Sequence, residues 1–263
     1  MTARTAETTR PAETRMPNPP VIDLLRELES LGTERNRRIY RRHGVTSEQY
    51  GVSLADLRRL ARRIGTDNAL AIELWDSGNH DARVLATLIA DPRRTPRQLL
   101  DDWVADVDDH VVSELVAGFV AQTPHALDAV ASWTAGHRDL EIATGWSTLA
   151  HLALSSEEIH DDLFVAYLAA IEAELHASPD RARHSMNGAL IAIGCRNERL
   201  RGLALETARR IGRVEVDHGA TARETPDATA HIQKVWARRC ARSNGRAKSH
   251  ADGAEPSSTG RQV

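Results

Sequence analysis

Between Asp101 and Leu115 the chain reads DDWVADVDDHVVSEL, a run that ends with a histidine and a glutamate four residues apart, His110 and Glu114. On a helix of 3.6 residues per turn, that spacing stacks both side chains on one face. An imidazole and a carboxylate so placed can form an acid–base pair in which one group activates water. The same spacing also suits a solvated salt bridge on a helix surface. A metal site needs further donors, and no HExxH pattern occurs anywhere in the chain, so neither a metal nor another cofactor is expected.

Two other residue types could serve a ligand. Trp75, Trp103, Trp133 and Trp146 fall on helical segments, where an aromatic face could stack against a sugar or a base, or could simply fill the core. Arginines cluster at Arg35 to Arg42, Arg58 to Arg63, Arg93 to Arg97 and Arg196 to Arg213. Several lie near helix starts or turns, where phosphate recognition is geometrically easy.

Helices must position these groups. Ser53-Leu54-Ala55-Asp56 opens one by capping chemistry, its apolar positions recur at helical spacing, and Gly65 is placed to end it. Thr95-Pro96, Thr123-Pro124, Ser178-Pro179 and Thr225-Pro226 mark four more starts, with the hydroxyl as cap and the proline in the first turn. The same pattern predicts helices near 21–31, 34–43, 53–64, 68–76, 80–90, 96–106, 109–121, 124–135, 139–153, 156–176, 179–194, 197–211 and 226–241. No segment alternates in the manner of a strand. The expected fold is all-α, a HEAT-like solenoid of helix pairs with a concave binding face over residues 19–242. Residues 1–18 and 243–263 are polar and are expected to be disordered.

The net charge is −3 over 263 residues. Residues 1–20 contribute +1 and residues 237–263 contribute +4, so the body from 21 to 236 holds −8. A nucleic-acid ligand would therefore need a local basic patch. No stretch reaches the roughly 18 to 20 apolar residues of a membrane helix, and the N-terminus lacks the apolar middle of a secretory signal. A cytoplasmic protein with no membrane association is expected. Cys195 and Cys240 are too few and too far apart for a thiolate metal site and read as free thiols.

Several segments carry a family pattern: Tyr50-Gly51-Val52-Ser53-Leu54-Ala55-Asp56-Leu57-Arg58, Leu74-Trp75, Asp81-Ala82-Arg83-Val84-Leu85-Ala86, Trp133 with Gly145-Trp146, Met186-Asn187-Gly188-Ala189-Leu190, Ile193-Gly194-Cys195-Arg196 and Val216-Asp217-His218-Gly219-Ala220-Thr221 with Thr225-Pro226-Asp227-Ala228. In this order and spacing, over about residues 25–236, they resemble the DNA alkylation repair family of HEAT-like helical-repeat proteins, whose best-known members are DNA glycosylases. The resemblance implies double-stranded DNA with alkylated bases along the concave face, engaged without full base flipping. It also implies N-glycosidic bond hydrolysis, by a protein expected to act as a monomer. Laid on the family's pattern, His110 stands at the first tryptophan and Glu114 at the catalytic aspartate, while Ala143 falls at an arginine and Gly188 near a later tryptophan. Glu114 would then orient water and stabilise the developing positive charge, with His110 stacking or handling a proton. Trp103, Trp133 and Trp146 would form an aromatic wall, and Arg83 and Arg196 would contact phosphates. A reading from a different class is a non-catalytic helical-repeat scaffold that binds a protein partner.

Overall fold

The computed structural model describes residues 18–218 and 224–251. Among them are thirteen α-helices and no strand. In chain order they are α1 (Val21–Leu31), α2 (Glu34–Arg42), α3 (Leu54–Ile64), α4 (Asn68–Asp76), α5 (His80–Ile89), α6 (Arg97–Asp106), α7 (His110–Val120), α8 (Ala126–Thr134), α9 (Asp139–Ser155), α10 (Asp161–Glu174), α11 (Asp180–Gly194), α12 (Glu198–Ile211) and α13 (Ala228–Ala251). A short 3-10 helix, Leu175–Ala177, follows α10. The all-α expectation holds, helix by helix. Two boundaries moved: α10 begins at Asp161 instead of 156, and α13 runs on to Ala251, past the expected end of the folded domain. The disorder expected for 1–17 and 252–263, and the motif residues 219–223, lie outside the described residues.

The helices stack in two layers. Consecutive members of an inner layer, α3, α5, α7, α9, α11 and α13, pack side by side, while α4, α8, α10 and α12 back them from outside. Amphipathic sequences build this arrangement. In α3, Leu57, Leu60 and Ile64 are buried at helical spacing while the arginines between them face solvent. Ser53 caps that helix through the Asp56 amide, and Gly65 ends it at φ 69°, where a side chain would be strained. Two of the proline-marked starts work differently from expectation: Pro96 and Pro179 take the cap position itself, and the hydroxyls of Thr95 and Ser178 donate back to carbonyls of the preceding turn. The Thr123 hydroxyl also donates back, to Val120 O, but it accepts from the His125 amide as a cap does.

Much of the family pattern is structural. Buried Asp81 accepts from the amides of Tyr50, Gly51 and Val52, which pins the approach to α3 against α5. Asn187 donates to Pro226 O, and Trp236 donates to Gly194 O, which together dock α13 on α11. No described helix is long and apolar enough to cross a membrane.

Candidate functional site

The inner helices, with α2 at one end, enclose a groove of about 940 Å³. Its floor is apolar, with Leu57, Val84, Leu115, Ala143 and Ile191, and Ile39, Leu54 and Leu154 stand exposed within it. The polar lining is mostly imidazole. His43, His80, His110, His151, His184 and His231 all face the groove, half of the chain's 12 histidines. Among the described residues, Arg181 and Arg239 are its arginines and Glu114 is its one carboxylate.

Helix α7 sets the position of Glu114. Asp109 caps this helix, accepting from the amides of Val111 and Val112, and its second carboxylate oxygen lies 2.9 Å from His80 Nδ1. That cap makes His110 the first residue of α7, with Glu114 one turn later on the same side. Both line the groove, as the spacing of four requires. Glu114 also takes an imidazole from a neighbouring helix. Glu114 Oε1 lies 3.0 Å from Nε2 of His151 on α9, while the ring of His110 approaches that of His43, with centroids 6.1 Å apart. The reason is that α9 packs beside α7, so the neighbouring helix supplies the imidazole.

The walls of the groove desolvate the Glu114 carboxyl, which works to raise its pKa. The His151 hydrogen bond and charge, the Ser147 hydroxyl and the charge of His184 outweigh that effect and hold it below the ordinary glutamate range. Glu114 is therefore ionised at neutral pH. Its side chain is 59% exposed, so a ligand in the groove can reach it. An ionised carboxylate there can orient a water molecule or stabilise a neighbouring positive charge.

The remaining sequence candidates are not in the groove. Trp103, Trp133 and Trp146 are each 1–2% exposed and belong to the core, so no aromatic wall of tryptophan exists. Trp103 stacks on Trp75 at 4.5 Å and meets Phe119, and Trp146 meets Tyr167 edge-on. Large aromatic surface drives these rings inward, and the aspartates satisfy two of the indole N–H groups: Trp133 donates to Asp101 and Trp75 to Asp106. The acidic run is thereby explained. Of its members only His110, Val111, Ser113, Glu114 and Leu115 line the groove, and none of its aspartates does.

Arg83 and Arg196 are also fastened elsewhere. Arg83 lies over the Trp75 ring, donates to Asp106 O and pairs with Asp108. Arg196 lies over Phe164, donates to the carbonyls of Ala153, Ser156 and Ile159, and pairs with Asp161. Each guanidinium is held at a neighbouring helix end, outside the groove. Sequence reasoning missed His43, His151, His184, His231, Arg181 and Arg239. Their signal was present: a histidine recurs roughly once per helix pair along the inner layer. Ala143 and Gly188 do line the groove.

Comparison with known proteins bears on this geometry. The family model described as DNA alkylation repair enzyme matches residues 24–241. The chain is 28% identical over 216 residues to uncharacterized protein Lin0241 of Listeria innocua, a match that covers 80% of this chain and 94% of that protein. Uncharacterized protein Lmo0209 of Listeria monocytogenes is similar to the same extent. A solved structure superimposes with a TM-score of 0.78 at 28% identity, covering 83% of this chain and 94% of the other. It is described as belonging to a new family of proteins related to the HEAT-like repeat DNA glycosylases with affinity for branched DNA structures.

Proposed function

The chain belongs to the DNA alkylation repair family, and from that premise we propose that it binds DNA along the groove of the inner helices. One observation carries this reading. On a body with a net charge of −8, the groove gathers two arginines and six histidines against a single carboxylate. Phosphate binding needs such a local surplus. The affinity for branched DNA in the description of the similar structure adds branched substrates to duplex DNA as ligands to test.

The finer reading is hydrolytic. A base alkylated on a ring nitrogen is already cationic, so it departs with the electrons of the C1′–N bond as a neutral base. The sugar is left as an oxocarbenium ion, which water captures with loss of a proton. Glu114 is the groove's ionised carboxylate and can stabilise that cation and accept that proton. The tryptophans do not assist, because they are buried. Stacking falls to the imidazole of His110.

Both readings are open to measurement. A labelled duplex and a labelled four-way junction should each raise their fluorescence anisotropy with the protein. A groove meeting about four phosphates should lose about 100-fold in affinity between 50 and 200 mM salt. Release of a methylated purine from methylated DNA, abolished by Glu114→Gln, supports hydrolysis. Binding without release from either protein leaves a DNA-binding protein without base excision, and absence of binding to either DNA favours the protein-binding scaffold.

A further inference from the structure

We propose that an arginine face on α2 and α3, beside the groove, holds the phosphate backbone of a DNA duplex where it runs past the end of the groove. The proposal rests on the DNA-binding reading and adds a second contact surface to it. Charge is spread unevenly along the body of the chain. Between residues 34 and 63, nine arginines stand against Glu34, Glu48 and Asp56, a net +6. Residues 64–236 hold 15 basic and 27 acidic residues, a net −12. Core packing does not call for the basic composition, because α2 buries none of its residues. Polar contacts fasten that helix instead: Asn36 donates to Gly51 O, Arg37 to Tyr50 O and Tyr40 to Val52 O.

Four of the nine arginines are spent within the chain. Arg37 and Arg41 reach Glu34, Arg59 reaches Asp56, and Arg63 grips Glu27 through two hydrogen bonds. Arg38 shares the charge of Glu34 with them. The other four, Arg35, Arg42, Arg58 and Arg62, are exposed and make no hydrogen bond or ion pair among the described residues.

Helical spacing puts these four beside the groove. Ile39 on α2 and Leu54 on α3 both line it. Arg35 precedes Ile39 by four residues and Arg42 follows it by three, so both are its neighbours on the surface of α2. Arg58 and Arg62 follow Leu54 by four and eight residues, one and two turns along the same side of α3. Ile39 and Leu54 are each 38% exposed, so the apolar lining of the groove comes to the surface next to the arginines.

The dimensions and chemistry suit a duplex. At 1.5 Å per residue, Arg35 and Arg42 lie about 10 Å apart along α2. That length of duplex carries about six phosphates, enough for four guanidiniums. Each guanidinium can hold a phosphate through two N–H groups. An anionic membrane is a poorer match, because a helix that lies in a bilayer surface buries a broad apolar face, and α2 exposes only Ile39 as a large apolar residue.

The test compares the wild type with R35Q/R42Q/R58Q/R62Q and with R93Q/R94Q/R209Q/R213Q, a control that removes four exposed arginines elsewhere, outside the groove. Anisotropy of a labelled duplex gives the dissociation constant across a salt series. Each phosphate contact adds about 0.9 to the slope of log affinity against log salt, so the arginine face steepens the dependence of the groove alone. In the α2–α3 variant that slope should be shallower by about 2 or more, with binding about tenfold weaker or more and an unchanged melting temperature. The control should stay within about threefold of wild type. A folded α2–α3 variant with wild-type affinity and slope overturns the proposal and leaves DNA binding to the groove. A control as damaged as that variant also overturns it, since net charge alone would then be the cause. Arginine-dependent co-sedimentation with phosphatidylserine vesicles, with DNA affinity unchanged in the variant, overturns it in favour of a membrane surface. No DNA binding by the wild type removes the DNA reading and the arginine face with it.

Discussion

Asp109→Ala should destabilise the protein by about 2–4 kcal/mol, because one carboxylate performs two tasks. It caps α7 through the amides of Val111 and Val112, and loss of such a cap costs about 1 kcal/mol. It also accepts from His80, whose side chain is only 2% exposed, and a buried donor left without a partner costs about 1–3 kcal/mol. Since the carboxylate is ionised, the Nδ1 that faces it must carry the proton. Asp109→Asn keeps an oxygen for the two amides, and His80 can meet the new amide group by changing tautomer, so that variant should cost only about 1 kcal/mol.

Acid unfolding checks the same reasoning by its sign. Burial works to raise the Asp109 carboxyl, but the His80 hydrogen bond and charge and the two backbone amides prevail and hold it below the ordinary range. Its contribution is therefore complete above about pH 4, where the unfolded carboxyl is ionised, and is lost as the pH falls through the lower folded value. The alanine variant should show a flatter acid limb. Urea titrations followed by far-ultraviolet circular dichroism give the free energies, with the midpoint lowered at constant slope. An alanine variant within about 0.5 kcal/mol of wild type, or an asparagine variant as damaged as alanine, would refute the two-task reading.

Three further outcomes follow from the packing. Trp103→Ala should cost about 3–5 kcal/mol in the same titration, as a core truncation between Trp75 and Phe119; a wild-type stability would mean that the ring is not buried. Gly145→Ala should lower the melting temperature despite alanine's better helix propensity, because the added methyl would meet Thr134 N of α8 at 2.8 Å, at a cost of about 1–3 kcal/mol. Glu114→Gln should leave the stability at pH 7 within about 0.5 kcal/mol of wild type, since the side chain is 59% exposed; a larger loss would make Glu114 a structural residue.

The helices were readable because their signals are local: Ser53 and Gly65 punctuate α3 by capping and by a positive φ, and apolar residues recur at 3.6. The side to which a tryptophan turns was not, because Trp103 sees its surroundings only once α4 and α7 have packed against α6. A clue existed in the intervals from Asp106 back to Trp75 and from Asp101 on to Trp133, each about one helix pair, which let an aspartate of α6 receive the indole of a neighbouring repeat. The site was half legible. His110 and Glu114 share a helix, so their common face followed from spacing, whereas His151 reaches Glu114 across 37 residues of chain, through the packing of α9 on α7. The places of Arg83 and Arg196 outside the groove were hidden for the same reason, since the carbonyls they bond belong to helix ends brought close only by the fold.

The central claim is that the groove of the inner helices is the DNA-binding surface. Gly188 offers a direct test, because it lines the groove one turn beyond His184 and a Cβ added there meets nothing within 4 Å. Gly188→Glu places a second carboxylate in the groove, and removing a glycine from a helix interior favours the fold by about 0.5–1 kcal/mol. In anisotropy titrations with duplex and junction DNA, the account predicts at least tenfold weaker binding for this variant, with a melting temperature at or above that of wild type. Unchanged affinity in the folded variant would contradict it and move the DNA-binding surface elsewhere on the molecule.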